Sequence, residues 1–233
     1  MHEYTIRVSP RARYVRLVIS AAAGLEVVVP RGFDRSRVPE LVREKERWIE
    51  NATRRIQARP RPAPAPEPAA LPGRIVLAAI GEEWTVEYRS EPRRSVTAAE
   101  RDGRALVLSG NVGDAGLCRK LLGRWLALKA TRHIGPRVAA ISAETGLGYA
   151  KATFRGQRSR WGSCSRRGTL SLNYKLLFLR EELVRHVIRH ELCHTAVPDH
   201  SDRFWSLLAT KDAGWRECRA AIRTAWREVP GWV

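Results

Sequence analysis

Residues 190–200 read His-Glu-Leu-Cys-His-Thr-Ala-Val-Pro-Asp-His. On an α-helix, positions four apart lie one above the other on one face, so His190 and His194 offer two imidazole nitrogens to a single ion. A helix continued past His194 would turn His200 roughly 240° away from that face. Pro198 prevents this: it has no amide hydrogen and disfavours helical backbone at Val197. The spacing therefore predicts a helix that stops before residue 198 and a chain that doubles back to return His200 to the ion. Three imidazoles suit one Zn2+ ion that keeps its fourth position open, and other divalent cations fit the same donors. Such an ion lowers the pKa of a bound water to about 7, and Glu191, beside the first ligand, is placed to take the proton as general base. His186 shares the ligand face one turn upstream and reads as a supporting or core histidine.

The spacing HExxHxxxxxH is that of the metzincin peptidases, but Val197 stands where they carry glycine. The sole methionine, Met1, excludes a Met-turn. A narrower resemblance rests on Arg158-Ser159-Arg160-Trp161-Gly162-Ser163-Cys164, then Leu172-Asn173-Tyr174, then the histidine motif, Asp199-His200-Ser201 and Phe204-Trp205. Together these motifs resemble the YgjP-like metal-dependent hydrolases, which are related to the WLM and SprT-like zinc peptidases. A weaker likeness reaches the N-terminus through Gly24-Leu25-Glu26-Val27-Val28-Val29-Pro30, so the resemblance covers effectively the whole chain. His186 and Asp199 depart from the usual pattern. The resemblance implies a zincin-like catalytic domain and a zinc-dependent hydrolase, with Arg160, Tyr174 and Asn173 as candidate oxyanion stabilisers.

The chain of 233 residues is long enough for one sizeable core, or for a small domain beside a catalytic one. No apolar run approaches the roughly 18 residues that cross a bilayer, and the polar start is unlike a signal peptide. A cytoplasmic protein without membrane attachment is expected. The four cysteines form no CxxC pair, which suits reduced thiols, and Cys193 reads as a packing residue. The formal charge is +18, from 42 basic residues of which 36 are arginine, against 24 acidic ones. Arginine in that excess, with abundant alanine, resembles the codon bias of a GC-rich genome. The arginines are dispersed, with local density at Arg54, Arg55, Arg59 and Arg61, and again at Arg155, Arg158, Arg160, Arg166 and Arg167. The second group adjoins the metal motif and leaves nucleic acid or a nucleotide open as a partner.

Period-two alternation predicts strands at 4–8, 14–19 and 25–29, joined as two hairpins. A helix follows, capped by Asp34 or Ser36 and running to about Gln57, with Val38, Leu41, Val42, Trp48, Ile49 and Ile56 as its apolar side. Residues 1–58 thus form a sheet-plus-helix region, and the proline- and alanine-rich stretch 59–73 reads as a linker. Residues 74–147 repeat the pattern: strands at 74–80, 84–88, 95–100 and 105–108, a helix from Asp114 bearing Trp125 as the first bears Trp48, and a second helix over 136–145. Residues 148–233 form the catalytic part. The strand 169–173 precedes the motif helix and is expected to line the cleft and pair with an extended polypeptide substrate. Glu181 and Glu182 open the motif helix; Leu183, Val184, Val187 and Ile188 are its buried side. Ser201 caps a final helical hairpin whose Phe204, Trp205, Leu207, Leu208, Trp215 and Trp226 read as core.

The fold class is α+β. Three functions are weighed: a zinc peptidase acting on extended or unfolded polypeptide, a metal-dependent nucleoside triphosphate pyrophosphatase, and a nucleic-acid-associated protease of SprT-like kind.

Overall fold

The N-terminal alternation forms three strands, β1 (Tyr4–Val8), β2 (Arg16–Ser20) and β3 (Gly24–Val29). Only one of the two expected hairpins is made, between β2 and β3, while β1 runs parallel to β3 on its other edge. Burial gives the reason: Leu25, Val27, Val28 and Val29 are at most 6% exposed, so β3 hides both faces and takes the centre. The Asp34 carboxylate accepts from the Ser36 amide at 3.0 Å and caps a 3-10 turn, Arg35–Arg37. The single expected helix then comes as two, α1 (Val38–Glu44) and α2 (Glu46–Gln57), broken at Lys45 where ψ reaches 10°. Past the break Ile49 faces the core with Val38 and Val42, whereas Trp48, expected on the apolar side, is 49% exposed.

The computed structural model describes residues 3–20, 24–57 and 70–233. It separates into two compact units, Met1–Glu67 and Pro68–Val233. Residues 59–69 of the expected linker lie outside the described residues.

In the second unit β4 (Arg74–Leu77), β5 (Glu82–Ser90), β6 (Val96–Arg101) and β7 (Ala105–Gly110) form a sheet in the order β4-β5-β7-β6, with β5 parallel to β7. Asp114 accepts from the Leu117 amide at 3.0 Å and starts α3 (Ala115–Thr145). This is one continuous helix in place of the two expected. Pro136 forfeits a helical hydrogen bond, but Gly135 has no Cβ to clash with the proline ring, and Ile134 and Val138 are both fully buried around it. Packing thus overrides the breaker. β8 (Lys151–Arg155) and β9 (Thr169–Asn173) pair in parallel. A 3-10 turn, α4 (Glu181–Ala196), α5 (Asp202–Lys211) and α6 (Trp215–Ile222) follow.

One hydrophobic cluster runs from Ile75 and Trp84 through Leu126 and Ile141 to Leu172, Ile188 and Trp232. The segments 74–147 and 148–233, expected as separate units, therefore share a core, because α3 packs against both the β5–β7 sheet and α4. The architecture is mixed α+β. Among the described residues no helix is long and apolar enough to cross a membrane.

Candidate metal centre

α4 places His190 and His194 one turn apart, and their Nε2 atoms lie 3.2 Å from each other. The helix ends at Ala196, two residues before Pro198, and the returning chain sets His200 Nε2 3.0 Å from His190 Nε2. The remaining contacts hold the rings in this orientation. His194 Nδ1 donates to the Val197 carbonyl at 3.0 Å, which leaves its Nε2 lone pair free. Trp205 Nε1 donates to the His200 carbonyl at 3.0 Å, and Phe204, fully buried, packs against all three rings. Asp199 accepts from the Ser201 amide at 3.1 Å and shapes the turn; Ser201 stands at the N-cap of α5 without a side-chain cap bond of its own.

Three ring nitrogens converging without an acid among them are suited to a cation. Tetrahedral coordination at about 2.0–2.1 Å sets donors roughly 3.3 Å apart, close to the distances from His190 to His194 and to His200. Burial and the neighbouring rings of His194 and His200 press the His190 imidazolium down to about 3, so the ring is neutral and a competent ligand at pH 7. His190, His194 and His200 form the one group of three such side chains, among the described residues, whose ligand atoms lie within 4.8 Å of one another.

Glu191 is 6% exposed, and burial pushes its carboxyl up to about 7 against the pull of Arg160. Its Oε2 is buried without a protein hydrogen-bond partner. The other oxygen lies against Gly162, where a Cβ would fall 2.6 Å from Oε1. Glycine is thus required for the Trp161–Ser163 segment to approach the α4 carboxylate. Trp161 anchors that segment, stacked on Trp226 with ring centroids 4.1 Å apart and donating from Nε1 to the Ile222 carbonyl.

The other motif residues are placed differently. Asn173 is fully buried; its amide donates to the carbonyls of Gln157 and Arg160 at 2.9 and 3.0 Å, and its Oδ1 accepts from the Lys175 amide. Those bonds occupy the amide in holding the 157–160 loop. Tyr174 lines a separate cavity with Gly123, Arg124 and Trp232. Arg160 is exposed and acts on Glu191 through its charge. His186 is buried, and its Nδ1 donates to Asp212 Oδ2 at 2.6 Å; Arg189 bonds the other carboxylate oxygen at 3.4 Å and reaches Glu144 at 2.8 Å. Asp212 lies at the end of α5 in no recognisable motif, and only its folded position reveals it.

β9 is paired on both edges. β8 takes one, and the preceding segment takes the other through Ser163 N to Ser171 O, Ser171 N to Ser163 O and Asn173 N to Trp161 O, at 2.8–3.0 Å. The strand expected to receive substrate thus has no free edge. Alternation instead turns the backbone groups of Gly162 and Cys164 outward, and these have no protein partner among the described residues. Beside them a cavity of about 530 Å³ is lined by Trp161, Gly162, His186, Val187, His190, Glu191, His200, Trp205, Arg219, Ile222 and Arg223.

Among solved structures the chain is similar to the metallopeptidase zymogen of Methanocaldococcus jannaschii jannalysin, at 22% identity and a TM-score of 0.35, covering 40% of this chain and 96% of that one. It is similar also to the metallopeptidase zymogen of Pyrococcus abyssi abylysin, at 22% identity and a TM-score of 0.34, covering 39% and 91%. No curated protein matches the chain. The family described as YgjP-like, metallopeptidase domain, matches residues 13–225. Since that match takes in most of the chain, with β2, β3, the whole four-stranded sheet and the whole lining of the metal-side cavity, the chain belongs to the YgjP-like metallopeptidase family.

Proposed function

We propose that this protein is a zinc-dependent peptidase that cleaves extended or unfolded polypeptide, with His190, His194 and His200 as ligands and Glu191 as general base. The observation that carries the reading is the convergence of three Nε2 atoms beside a buried carboxylate whose Oε2 lacks a partner. A zinc ion held there supplies a Lewis acid for the scissile carbonyl and lowers the pKa of the attacking water. Glu191 takes the proton of that water and passes it to the leaving amine. Its burial disfavours the charged form and so makes it a stronger base for the first of these transfers. The Gly162 and Cys164 backbone groups supply the open edge on which a substrate strand adds, one residue from the carboxylate. Arg160 remains the oxyanion candidate; the Asn173 amide is already bonded and Tyr174 faces another cavity.

Glu191→Gln tests the assignment. Expected is retained stoichiometric zinc with hydrolysis of an unfolded protein substrate reduced by at least about 10³-fold; unchanged proteolysis would overturn it. Gly162→Ala should likewise reduce hydrolysis while sparing zinc, because the methyl displaces Glu191 and not the histidines.

A second reading, polyanion binding, draws on a groove of about 630 Å³ lined by Arg155, Arg158 and Arg160 with several serines. Gln157 Oε1 is buried there without a partner. Binding to single-stranded DNA that weakens steeply with salt supports it, and salt-independent or absent binding removes it. Pyrophosphate release from a nucleotide panel, lost in Glu191→Gln, would instead favour the phosphohydrolase.

A further inference from the structure

The cavity beside the metal ligands has apolar walls, Trp161, Val187 and Ile222, and two cations at its rim, Arg219 and Arg223. The two arginines stand four residues apart at the end of α6, and Arg223, its C-cap, keeps helical backbone with φ −67° and ψ −30°. They therefore share a helix face. Neither has a carboxylate partner among the described residues, although this chain pairs arginine with acid readily elsewhere, as in Arg185 and Arg189 with Glu144. Arg219 is held in place: its guanidinium lies 4.1 Å over the Trp205 ring, and Trp205 is tied to the His200 carbonyl. Glu191 is the only carboxylate in the cavity lining, and Asp212, behind His186, is already bonded by His186 and Arg189.

An apolar pocket whose charged rim is two unpaired guanidiniums recognises a carboxylate, which the planar fork grips through two parallel hydrogen bonds. We propose that Arg219 and Arg223 seat a substrate carboxylate next to the scissile bond, so that the enzyme prefers peptides carrying either an acidic side chain or a free C-terminus at that position. This rests on the peptidase reading and names its specificity.

Binding tests it apart from hydrolysis. Three labelled alanine–glycine decapeptides are titrated by anisotropy into Glu191→Gln, zinc-loaded and metal-free: neutral with an amidated end, the same with one central glutamate, and neutral with a free C-terminus. Expected is binding about tenfold tighter for a carboxylate peptide than for the neutral amidated one. Which carboxylate peptide gains distinguishes a side chain from a chain end. The preference should disappear in Arg219→Gln and Arg223→Gln, and in Arg219→Glu should pass to a fourth, amidated peptide with one central lysine. Equal binding of the three peptides, or none, overturns the seat. So does a preference that survives Arg219→Gln and Arg223→Gln but vanishes on zinc removal, since the carboxylate would then sit on the metal. If the preference holds while the parent protein cleaves no peptide, the peptidase reading falls and the seat stands; cleavage without preference does the reverse.

Discussion

The strands β1, β2 and β3 and the strands β5, β6 and β7 are built alike. In each set the third strand is central, parallel to the first and antiparallel to the second. Each is followed by an aspartate that caps the next helical segment, Asp34 or Asp114, and the residues four and eight positions beyond it are buried: Val38 and Val42 in one, Cys118 and Leu122 in the other. Val28 and Val107, on the far face of each central strand, are both hidden as well.

The likeness ends at the core. In the first unit the buried side chains among the described residues are all apolar, and the helix breaks after seven residues. In the second, the helix runs unbroken through a larger cluster, and every buried polar or charged side chain described, Lys129, Thr145, Asn173, His186, Glu191 and Asp212, belongs to this unit. Lys129 shows how such a group is tolerated, 3.0 Å from Glu82 and 4.1 Å over the Trp84 ring. The same local plan thus carries buried polar side chains only where a larger core encloses them.

The largest difference between the two units is expected on truncating the two tryptophans that hold similar places in the sequence pattern. Trp125 is 6% exposed, edge-on to Trp84 and bonded from Nε1 to Glu100 at 2.8 Å. Trp125→Ala should cost about 3–5 kcal/mol, and Trp48→Ala, at a half-exposed site, about 1 kcal/mol or less. Equal losses in chemical denaturation would mean that the first unit depends on Trp48 as the second does on Trp125.

Next comes the buried carboxyl. A group whose folded pKa is raised binds its proton more tightly in the folded state, so its stabilising contribution is lost as pH rises toward that value. For metal-free protein, Glu191→Gln should gain on the parent by about 3 kcal/mol between pH 4.5 and 7.5, given a shift from 4.5 to about 7. The depressed histidines, His190 and His194, tilt stability the other way, losing it as pH falls, but they do so in both proteins and cancel in the difference. A difference flat with pH in denaturant titrations would show that Glu191 is not buried in the metal-free state.

Metal loading separates the units further. Zinc at about 100 times its dissociation constant stabilises its unit by about 2.7 kcal/mol. Hydrogen exchange should slow across α4 and leave the β2–β3 ladder unchanged; equal slowing in both would show that the units open together. The smallest effect sharpens what they share. Asp34→Ala and Asp114→Ala should each loosen only the first helical turn after the cap, seen as faster amide exchange there, whereas loss of protection through the whole of α3 would make Asp114 a determinant of the larger core.

Much of the site is legible because it is local. His190 and His194 meet through helical geometry alone, and the place where α4 ends follows from Pro198. The apolar runs Val27 to Val29 and Leu106 to Leu108 mark strands, whereas the central place of β3 shows only in the fold, since two successive hairpins would put residues 14–19 at the centre. Pro136 misled, since a local breaker is outweighed when Ile134 and Val138 are buried on either side of it. Trp48 misled for the converse reason: the break at Lys45 rotates α2, and no periodicity records that turn.

The sequence alone pointed to the three histidines that converge, to Glu191 beside them, to the mixed α+β class and to the caps at Asp34 and Asp114. Each of these depends on residues within a turn or a strand of one another. Only the tertiary structure decided that β1 lies parallel to β3, that the edge at Gly162 and Cys164 is the open one in place of β9, that Asp212 holds His186, and that Arg219 and Arg223 border the metal cavity. The last two pairings join residues separated by stretches of chain with no shared period, and packing of α5 and α6 against α4 is what brings them within reach.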